Sequence, residues 1–194
     1  WDFRSNGLPG DGHFSDIAIS YLDHTDRTFF LASSFLSPYP GIFYSHDFGA
    51  NWLLCDTGLP ATPFDRVEVS SSDPNRIAAA DGLNRVFISS DRGANWSQSA
   101  DIPRTNDGYV LDIEFDPTNA NRLFVSSLFS GLFKSTDGGD SWNNIDNDLP
   151  VASSIAIFGP AINPYNVLNM FVVSNHYGVY QTFDGGLHWS SFNA

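Results

Sequence analysis

The sequence predicts an all-β fold in which one four-stranded antiparallel unit is repeated along the chain. Four copies of the pattern S/T-x-D-x-G-x-x-W end at Trp52, Trp96, Trp142 and Trp189, at spacings of 44, 46 and 47 residues. Each interval holds short alternating or β-branched runs separated by turns rich in Asp, Asn and Pro, and no segment has a helical period. Four short strands at this repeat length are typical of a blade of a β-propeller.

The strands of each unit are predicted in a fixed order. The first strand is expected at 16–20, 66–70, 112–115 and 154–157, and the second at 29–32, 76–79, 123–126 and 170–173. A third strand enters each motif, and a fourth begins at its tryptophan. The motif therefore occupies the hairpin between the third and fourth strands.

The motif is expected to have a structural role. Its Asp can accept backbone N–H bonds across a tight turn, its Gly is expected to need a positive φ, and its indole buries a large area that ties the outer strand to the turn. These structural positions are Asp47, Gly49, Trp52, Asp91, Gly93, Trp96, Asp137, Gly139, Trp142, Asp184, Gly186 and Trp189.

On these four motifs the chain resembles the Asp-box, or bacterial neuraminidase repeat, β-propeller superfamily over essentially its whole length. That superfamily includes sialidases, xyloglucanases, sortilin-type receptors and a photosystem II assembly factor, so the resemblance implies a fold and leaves the function open. It also implies that the boxes lie on the face opposite the ligand-binding mouth, so the ligand would bind among the loops of the other face.

The repeat predicts a single propeller segment, 1–194, with blades at approximately 10–58, 61–100, 105–148 and 151–194. Residues 1–9 begin with Trp1 and run into Asn6-Gly7-Leu8-Pro9, which matches Thr57-Gly58-Leu59-Pro60 after the first complete box. They are predicted to be the outer strand of a preceding blade. The chain is therefore expected to join the rest of a larger propeller, or to form a partial ring that closes on a second copy.

Composition excludes several classes of partner. The net charge is −13, with a single lysine, Lys134, so phosphate backbones are repelled and no nucleic-acid binding is expected. No apolar run approaches 18 residues and no signal peptide is visible, so no membrane insertion is expected. The acidic, lysine-poor surface favours an extracellular or periplasmic location. The lone Cys55 lies in an apolar strand, which predicts a buried, inert thiol.

The predicted ligand face is built by loops that join the fourth strand to the next first strand and the second strand to the third. Polar side chains in these loops are candidates to bind a glycan or protein, and loop aromatics are candidates to stack on sugar rings or partner residues. For the aromatics, filling gaps between blades is an equally good interpretation. The predicted ligand-binding residues are Asp11, His13, Asp65, Arg66, Arg104, Asp107, Tyr109, Tyr39, Phe129 and Tyr177.

Aligned first strands place Asp16, Arg66, Asp112 and Ser154 at one position, with Glu68 and Glu114 two residues further on. An inter-blade ion-pair set, Asp16–Arg66–Asp112, is the favoured interpretation, and a polar constellation that grips a ligand is the alternative. Glycosidases need two carboxylates roughly 5–9.5 Å apart. The weak catalytic candidates are Asp16, Asp112, Glu68 and Glu114.

The sequence does not favour sialidase activity or a metal site. The sialidase arginine motif of the type F/Y-R-I-P is missing, since Ile102-Pro103-Arg104 has the wrong order. The five histidines are scattered and no D-x-D-x-D-G run occurs, so no metal and no cofactor are expected. The sequence thus favours a non-catalytic binding or assembly propeller that presents its loop face to a glycan or protein. The alternative is a fragment of a xyloglucanase-like glycoside hydrolase.

Overall fold

A computed structural model describes residues 6–21, 27–34, 39–103, 108–150 and 155–192. Blade 1 contains β1 (Phe14–Tyr21), β2 (Arg27–Ser33), β3 (Ile42–Ser45) and β4 (Leu53–Leu54). Blade 2 contains β5 (Phe64–Val69), β6 (Ile77–Asp81), β7 (Val86–Ser89) and β8 (Ser97–Gln98). Blade 3 contains β9 (Val110–Asp116), β10 (Asn119–Ser127), β11 (Gly131–Ser135) and β12 (Asn143–Asn144). Blade 4 contains β13 (Ile157–Ile162), β14 (Met170–Ser174), β15 (Gly178–Thr182) and β16 (Ser190–Ser191).

Each blade is an antiparallel sheet whose strands pair in chain order, as in β1-β2-β3-β4. The predicted all-β propeller architecture is confirmed, and the described residues form four four-stranded blades. The described ranges contain no helix capable of spanning a membrane.

The first strand of blade 4 differs from its predicted position. It was expected at 154–157, but β13 begins only at Ile157 and runs to Ile162. Its pairing with β14 is irregular between Phe158 and Ala161, around Gly159 and Pro160. Proline has no N–H to donate to a ladder, and Gly159 has φ 106°, so this strand departs from the regular alternation that marked the other three.

The blades pack face to face, and the apolar cores lie between them. The first strands follow one another around the centre, β1 against β5, β5 against β9 and β9 against β13. Blades 1 and 2 share a core that includes Ala18, Phe30, Ile42, Val67, Ile77 and Phe87. Equivalent cores lie between blades 2 and 3 and between blades 3 and 4.

Two-sided burial explains the strand compositions. Side chains alternate between the two faces of a sheet, so Val67 and Val69 of β5 point to the core with blade 1. Arg66 and Glu68 lie on the other face, that of blade 3. The second strand is covered on both faces. For this reason β6 is buried throughout, and its first four residues, 77–80, are apolar.

The box residues build a compact turn. In blade 1, Ser45 Oγ donates to Asp47 Oδ1 at 2.8 Å and accepts from the Gly49 N–H at 2.9 Å, while Asp47 Oδ1 also accepts from the Asn51 N–H at 2.8 Å. Blades 2, 3 and 4 repeat this network around Asp91, Asp137 and Asp184. Each box Asp has a lowered pKa because hydrogen bonds favour its charged form, and that of Asp47 falls to about 2.

The box indoles join neighbouring blades. Trp96 Nε1 donates to the Cys55 carbonyl at 3.0 Å, Trp142 Nε1 to the Ala100 carbonyl at 3.1 Å, and Trp189 Nε1 to the Ile145 carbonyl at 2.7 Å. Every acceptor follows the fourth strand of the preceding blade. The tryptophan therefore fastens one blade to the previous one, in addition to packing on its own turn.

The segment that leaves a blade is also fixed to the next box. The Trp96 N–H donates to the Thr57 carbonyl at 2.9 Å, and Gly58 has φ 91°. A Cβ added at Gly58 would lie 2.1 Å from the Trp96 carbonyl oxygen. This position has room only for glycine.

We expect Gly58→Ala to lower the free energy of unfolding by about 3 kcal/mol, because the methyl clashes with backbone at a left-handed φ. Urea unfolding monitored by tryptophan fluorescence measures this change. The control is Gly10→Ala, where no atom lies within 4 Å of the added Cβ, and its expected change is within about 0.5 kcal/mol. Equal losses in the two variants would contradict the role assigned to Gly58.

Candidate functional site

A cavity of about 440 Å³ lies at the loop face between blades 2 and 3, lined by Asp65, Arg66, Gly82 and Tyr109. Asp65 and Arg66 are the second and third residues of β5, Gly82 lies in the turn after β6, and Tyr109 directly precedes β9. The two kinds of loop expected to form the ligand face thus meet at this cavity. Three predicted ligand-binding residues, Asp65, Arg66 and Tyr109, are brought together here.

Arg66 spans the junction between the two blades. Its Nε donates to the Leu111 carbonyl of β9 at 2.5 Å, and its Nη1 donates to the Asp65 carbonyl at 2.7 Å. These bonds hold the planar guanidinium in one orientation. A guanidinium carries five N–H donors, so the backbone bonds leave it further donors to offer a ligand in the cavity.

Tyr109 presents an aromatic ring at the mouth of the cavity, with 43% of the residue exposed. Its carbonyl accepts from the Leu128 N–H at 2.8 Å, which fixes the backbone beside the ring. The preceding Gly108 is equally constrained, because a Cβ there would lie 1.9 Å from the Leu128 carbonyl oxygen. The ring is therefore an exposed aromatic surface on a rigid support.

Asp81 and Arg85 form the scaffold beneath Gly82, and the sequence did not indicate them. Asp81 is almost wholly buried and accepts from the Leu83 and Arg85 N–H groups at 3.0 Å. Its Oδ2 accepts from Arg85 Nε at 2.8 Å, and Arg85 Nη2 lies 2.5 Å from the same oxygen. The spacing of Asp81, Gly82 and Arg85 within one short hairpin was the available signal.

The other predicted ligand residues do not line this cavity. Asp11 and His13 are exposed on the loop before β1, and Phe129 and Tyr177 lie in the turns after β10 and β14. Tyr39 lines a different cavity, of about 540 Å³, with Leu8, Pro9, Phe43 and Leu54. Arg104 and Asp107 lie outside the described residues.

Four carboxylates lie on the first, innermost strands of blades 1 to 3: Asp16, Glu68, Asp112 and Glu114. Glu68 and Glu114 are the only glutamates of the chain. Burial raises the pKa of Glu68 to about 8, with further increments from Glu114, Asp16 and Asp112. Burial also raises the pKa of Glu114 to about 7, and Asp112 adds to that rise. At neutral pH Glu68 is therefore largely protonated.

Burial raises the pKa of Asp112 as well, against the opposing charge of Arg66. Perturbed carboxylates often mark catalytic groups, but structural clusters perturb pKa values too. None of the four carboxylates lines the cavity of Asp65 and Tyr109. The catalytic candidates therefore do not contribute to the lining of the loop-face cavity, although the charge of Arg66 acts on Asp112.

The predicted ion pairs of Asp16, Arg66 and Asp112 do not form among the described residues. Asp16 Oδ2 accepts instead from the Val67 N–H at 3.1 Å, and Arg66 donates to the Leu111 carbonyl. An inner strand is the edge of its sheet, so it has unpaired N–H and C=O groups. These backbone groups of the next blade compete successfully for the charged side chains.

Metal binding and thiol reactivity are two further candidate chemistries of the described ranges. No three His, Cys, Asp or Glu side chains are grouped there so as to hold a metal ion. Cys55 is buried, its thiol donates to the Ile42 carbonyl at 3.3 Å, and burial raises its pKa to about 12. The thiol is therefore kept protonated and unreactive, as the sequence predicted.

Known proteins resemble this chain in part of their length. Residues 41–153, which hold three boxes, match the family described as Sortilin-Vps10 (Sortilin, neurotensin receptor 3). A probable oligoxyloglucan-reducing end-specific xyloglucanase of Neosartorya fischeri is 30% identical over 96 residues, 43% of this chain. A xyloglucanase of Hypocrea jecorina is 26% identical over 99 residues, 51% of this chain. The chain covers 12% of the length of each xyloglucanase.

Solved structures share the fold. The GH74 enzyme of Niastella koreensis superposes with a TM-score of 0.70 at 15% identity, covering 99% of this chain and 31% of that one. YCF48 of Cyanidioschyzon merolae gives 0.64 at 14% identity, with coverages of 94% and 56%. YCF48 bound to D1 peptide gives 0.60 at 13% identity, with coverages of 98% and 73%. At such identities the likeness establishes the propeller fold alone.

We expect the stability of the chain to fall as pH rises between about 4.5 and 8, because Glu68 binds its proton more tightly in the folded state than in the unfolded state. Glu68→Gln removes this penalty and should raise the free energy of unfolding by about 4 kcal/mol near pH 8, with little change near pH 4. Urea unfolding across this pH range measures both.

Glu114→Gln serves as the matched variant. It removes the raised pKa of Glu114 itself and a neighbouring charge that adds to the raised pKa of Glu68, so the pH dependence should shrink in part. A pH profile identical to that of the unsubstituted chain in both variants would show that these carboxyl groups are not buried as described.

Proposed function

The chain belongs to the Sortilin-Vps10 family, and from that premise we propose that it is a non-catalytic binding and assembly propeller. Its loop face would receive a segment of a protein partner in the cavity of Asp65, Arg66, Gly82 and Tyr109. One observation supports the proposal. The guanidinium of Arg66 on blade 2 and the exposed ring of Tyr109 on blade 3 lie at the same junction, and hydrogen bonds fix the guanidinium and the backbone of Tyr109.

The guanidinium of Arg66 and the ring of Tyr109 favour a ligand that has both a carboxylate and an apolar group. Arg66 is one of only nine basic residues in a chain with a net charge of −13, so it supplies a local positive group on a negative molecule. A guanidinium binds carboxylates through paired, charge-assisted hydrogen bonds, and a tyrosine ring contributes apolar contact at low entropic cost. A peptide segment with a carboxylate beside an apolar or aromatic side chain fits both. YCF48, which shares the fold, has been solved with a peptide bound.

Binding to an array of carboxylate-bearing peptides, printed beside neutral and acidic glycans, tests this proposal. We expect peptide binding that Tyr109→Ala weakens by about tenfold or more, because the variant removes the exposed anchor. The control is Tyr165→Ala, since Tyr165 is 97% exposed in the β13–β14 turn on the opposite face. Binding confined to glycans would replace the peptide with a sugar ligand, and equal loss in both variants would contradict the assigned site.

A glycoside hydrolase fragment is the second candidate, supported by the xyloglucanase relatives and the perturbed carboxyl groups. The pKa of Glu114, about 7, is the value expected of a general acid, and Asp112 is the neighbouring carboxylate. Neither group lines the loop-face cavity, which weighs against this candidate.

We expect the chain to release no reducing ends from xyloglucan or β-glucan. Reducing-sugar assay of the purified chain measures this, with Asp112→Asn as the matched variant. Turnover that the variant abolishes would overturn the non-catalytic proposal in favour of the hydrolase.

We also propose an extracellular or periplasmic location for the protein. A peptide- or glycan-binding surface of this kind is suited to a compartment in which such ligands are exposed.

A further inference from the structure

A cavity of about 400 Å³ lies at the outer rim between blades 1 and 2, beside the box of blade 2. The boxes occupy the β3–β4 type of hairpin, at the opposite end of each antiparallel blade from the turns that form the loop face. This cavity is therefore separate from the loop-face cavity, and we name it the box cavity. The lining residues that matter here are Tyr44, His46, Leu54, Thr57, Asp91 and Arg92.

At the next two junctions a cation of the preceding blade bridges the corresponding space. Arg76 Nη2 donates to the Gly138 carbonyl at 3.1 Å, and Lys134 Nζ donates to the Gly185 carbonyl at 3.3 Å. A Cβ added at Gly138 would lie 2.6 Å from Arg76 Nη2. The Arg76 side chain thus fills the space beside the box of blade 3.

Blade 1 carries different side chains at these two positions. The pairing of the second and third strands places Thr28 where blade 2 has Arg76, and it places Tyr44 where blade 3 has Lys134. A short hydroxyl side chain and an aromatic ring thus replace the bridging cations. The junction between blades 1 and 2 is open where the other two are bridged.

The box of blade 2 contributes a side chain at a position that favours glycine. Arg92 has φ 60°, and the equivalent residues of blades 3 and 4 are Gly138 and Gly185, with φ 79° and 76°. Arg92 Nη2 donates to Thr28 Oγ1 at 2.9 Å, and the same oxygen is hydrogen-bonded to His46 Nδ1 at 2.8 Å. These two bonds connect the blades and fix the imidazole at the wall of the box cavity.

The polar groups of the box cavity include both donors and acceptors. Because His46 uses Nδ1 on Thr28, its Nε2 remains to donate to or accept from a ligand. The Asp91 carboxylate bonds within its box, where Oδ2 accepts from Asn95 Nδ2 at 2.8 Å, and a carboxylate oxygen can accept a second bond. The hydroxyls of Tyr44 and Thr57 can each donate and accept.

Apolar surface lies beside these polar groups. The rings of Tyr44 and His46 meet edge to face, with centroids 4.9 Å apart, and Leu54 is exposed. Asp91 and Arg92 bring opposite charges to the same cavity, so its charge favours neither an anion nor a cation. A sugar ring has C–H groups that pack on an aromatic face and hydroxyls that both donate and accept. A volume of about 400 Å³ also lies within the range of small-ligand sites.

We propose that the box cavity is a binding site for a pyranose ring of a neutral saccharide. The ring packs on Tyr44 and Leu54, and its hydroxyls bond to His46 Nε2, the Thr57 hydroxyl and the Asp91 carboxylate. The site is additional to the peptide site proposed for the loop face.

Titration of the chain with the methyl glycosides of glucose, galactose, mannose and xylose, followed by amide NMR spectra, tests the proposal. A single ring with a few hydrogen bonds binds with a Kd on the order of 1 mM, so each glycoside is added to about 50 mM. We expect at least one glycoside to give saturable shifts of the Gly93 and Ala94 amide signals, and sulfate to give none. No saturable shift with any glycoside, or saturable shifts with sulfate alone, would overturn the proposal.

Two variants locate the binding. Tyr44→Lys gives blade 1 the residue that blade 3 carries at Lys134, so the fold is expected to persist while the saturable shifts disappear. His46→Ala removes an exposed side chain and leaves the core intact, and it should raise the Kd about tenfold through the lost hydrogen bond.

The matched control is His188→Ala, which removes an exposed imidazole from the box of blade 4 and should leave the Kd unchanged. Thermal unfolding of each variant measures whether the fold persists. Unchanged binding in a folded Tyr44→Lys chain, or equal weakening in the two histidine variants, would overturn the proposal. None of these positions lies at the loop-face cavity, so failure here leaves the peptide-binding proposal unaffected.

Discussion

Apolar contact between the faces of neighbouring blades is the interaction on which the rest of this structure depends. A four-stranded sheet has two faces, and strands such as β6 are apolar on both. Neither face can be covered within its own blade, so each core is shared by two blades. The stability of one blade is therefore inseparable from the presence of the next.

Hydrogen bonds at the junctions follow from the same geometry. The inner strand of each blade is a sheet edge, and its unpaired backbone groups are met by side chains of the preceding blade, as by Asp16 and Arg66. At the outer rim the box indoles meet carbonyls in the opposite direction along the chain. Polar side chains on the first strands thus join neighbouring blades, and Arg66 also lines the loop-face cavity.

Much of the fold was predictable because each repeat obeys a local rule. Alternation gave the strands of blades 1 to 3, and the box gave the turn before each fourth strand. Blade 4 was misplaced where Gly159 and Pro160 interrupt that alternation. The predicted ion pairs among Asp16, Arg66 and Asp112 do not form, for a related reason. An alignment of strands shows which side chains occupy equivalent positions, but it does not show which backbone groups bind them.

By itself, the sequence determined the repeat, the blade architecture and the structural role of the boxes, and it predicted the loop face as the place for ligands. Those properties depend on periodicity and on residues close together in the chain. Only the tertiary structure brought Asp65, Arg66, Gly82 and Tyr109 to one cavity and buried Glu68 beside other carboxylates. Each of these depends on two blades meeting, and contacts between repeats more than 40 residues apart leave no local pattern in the chain.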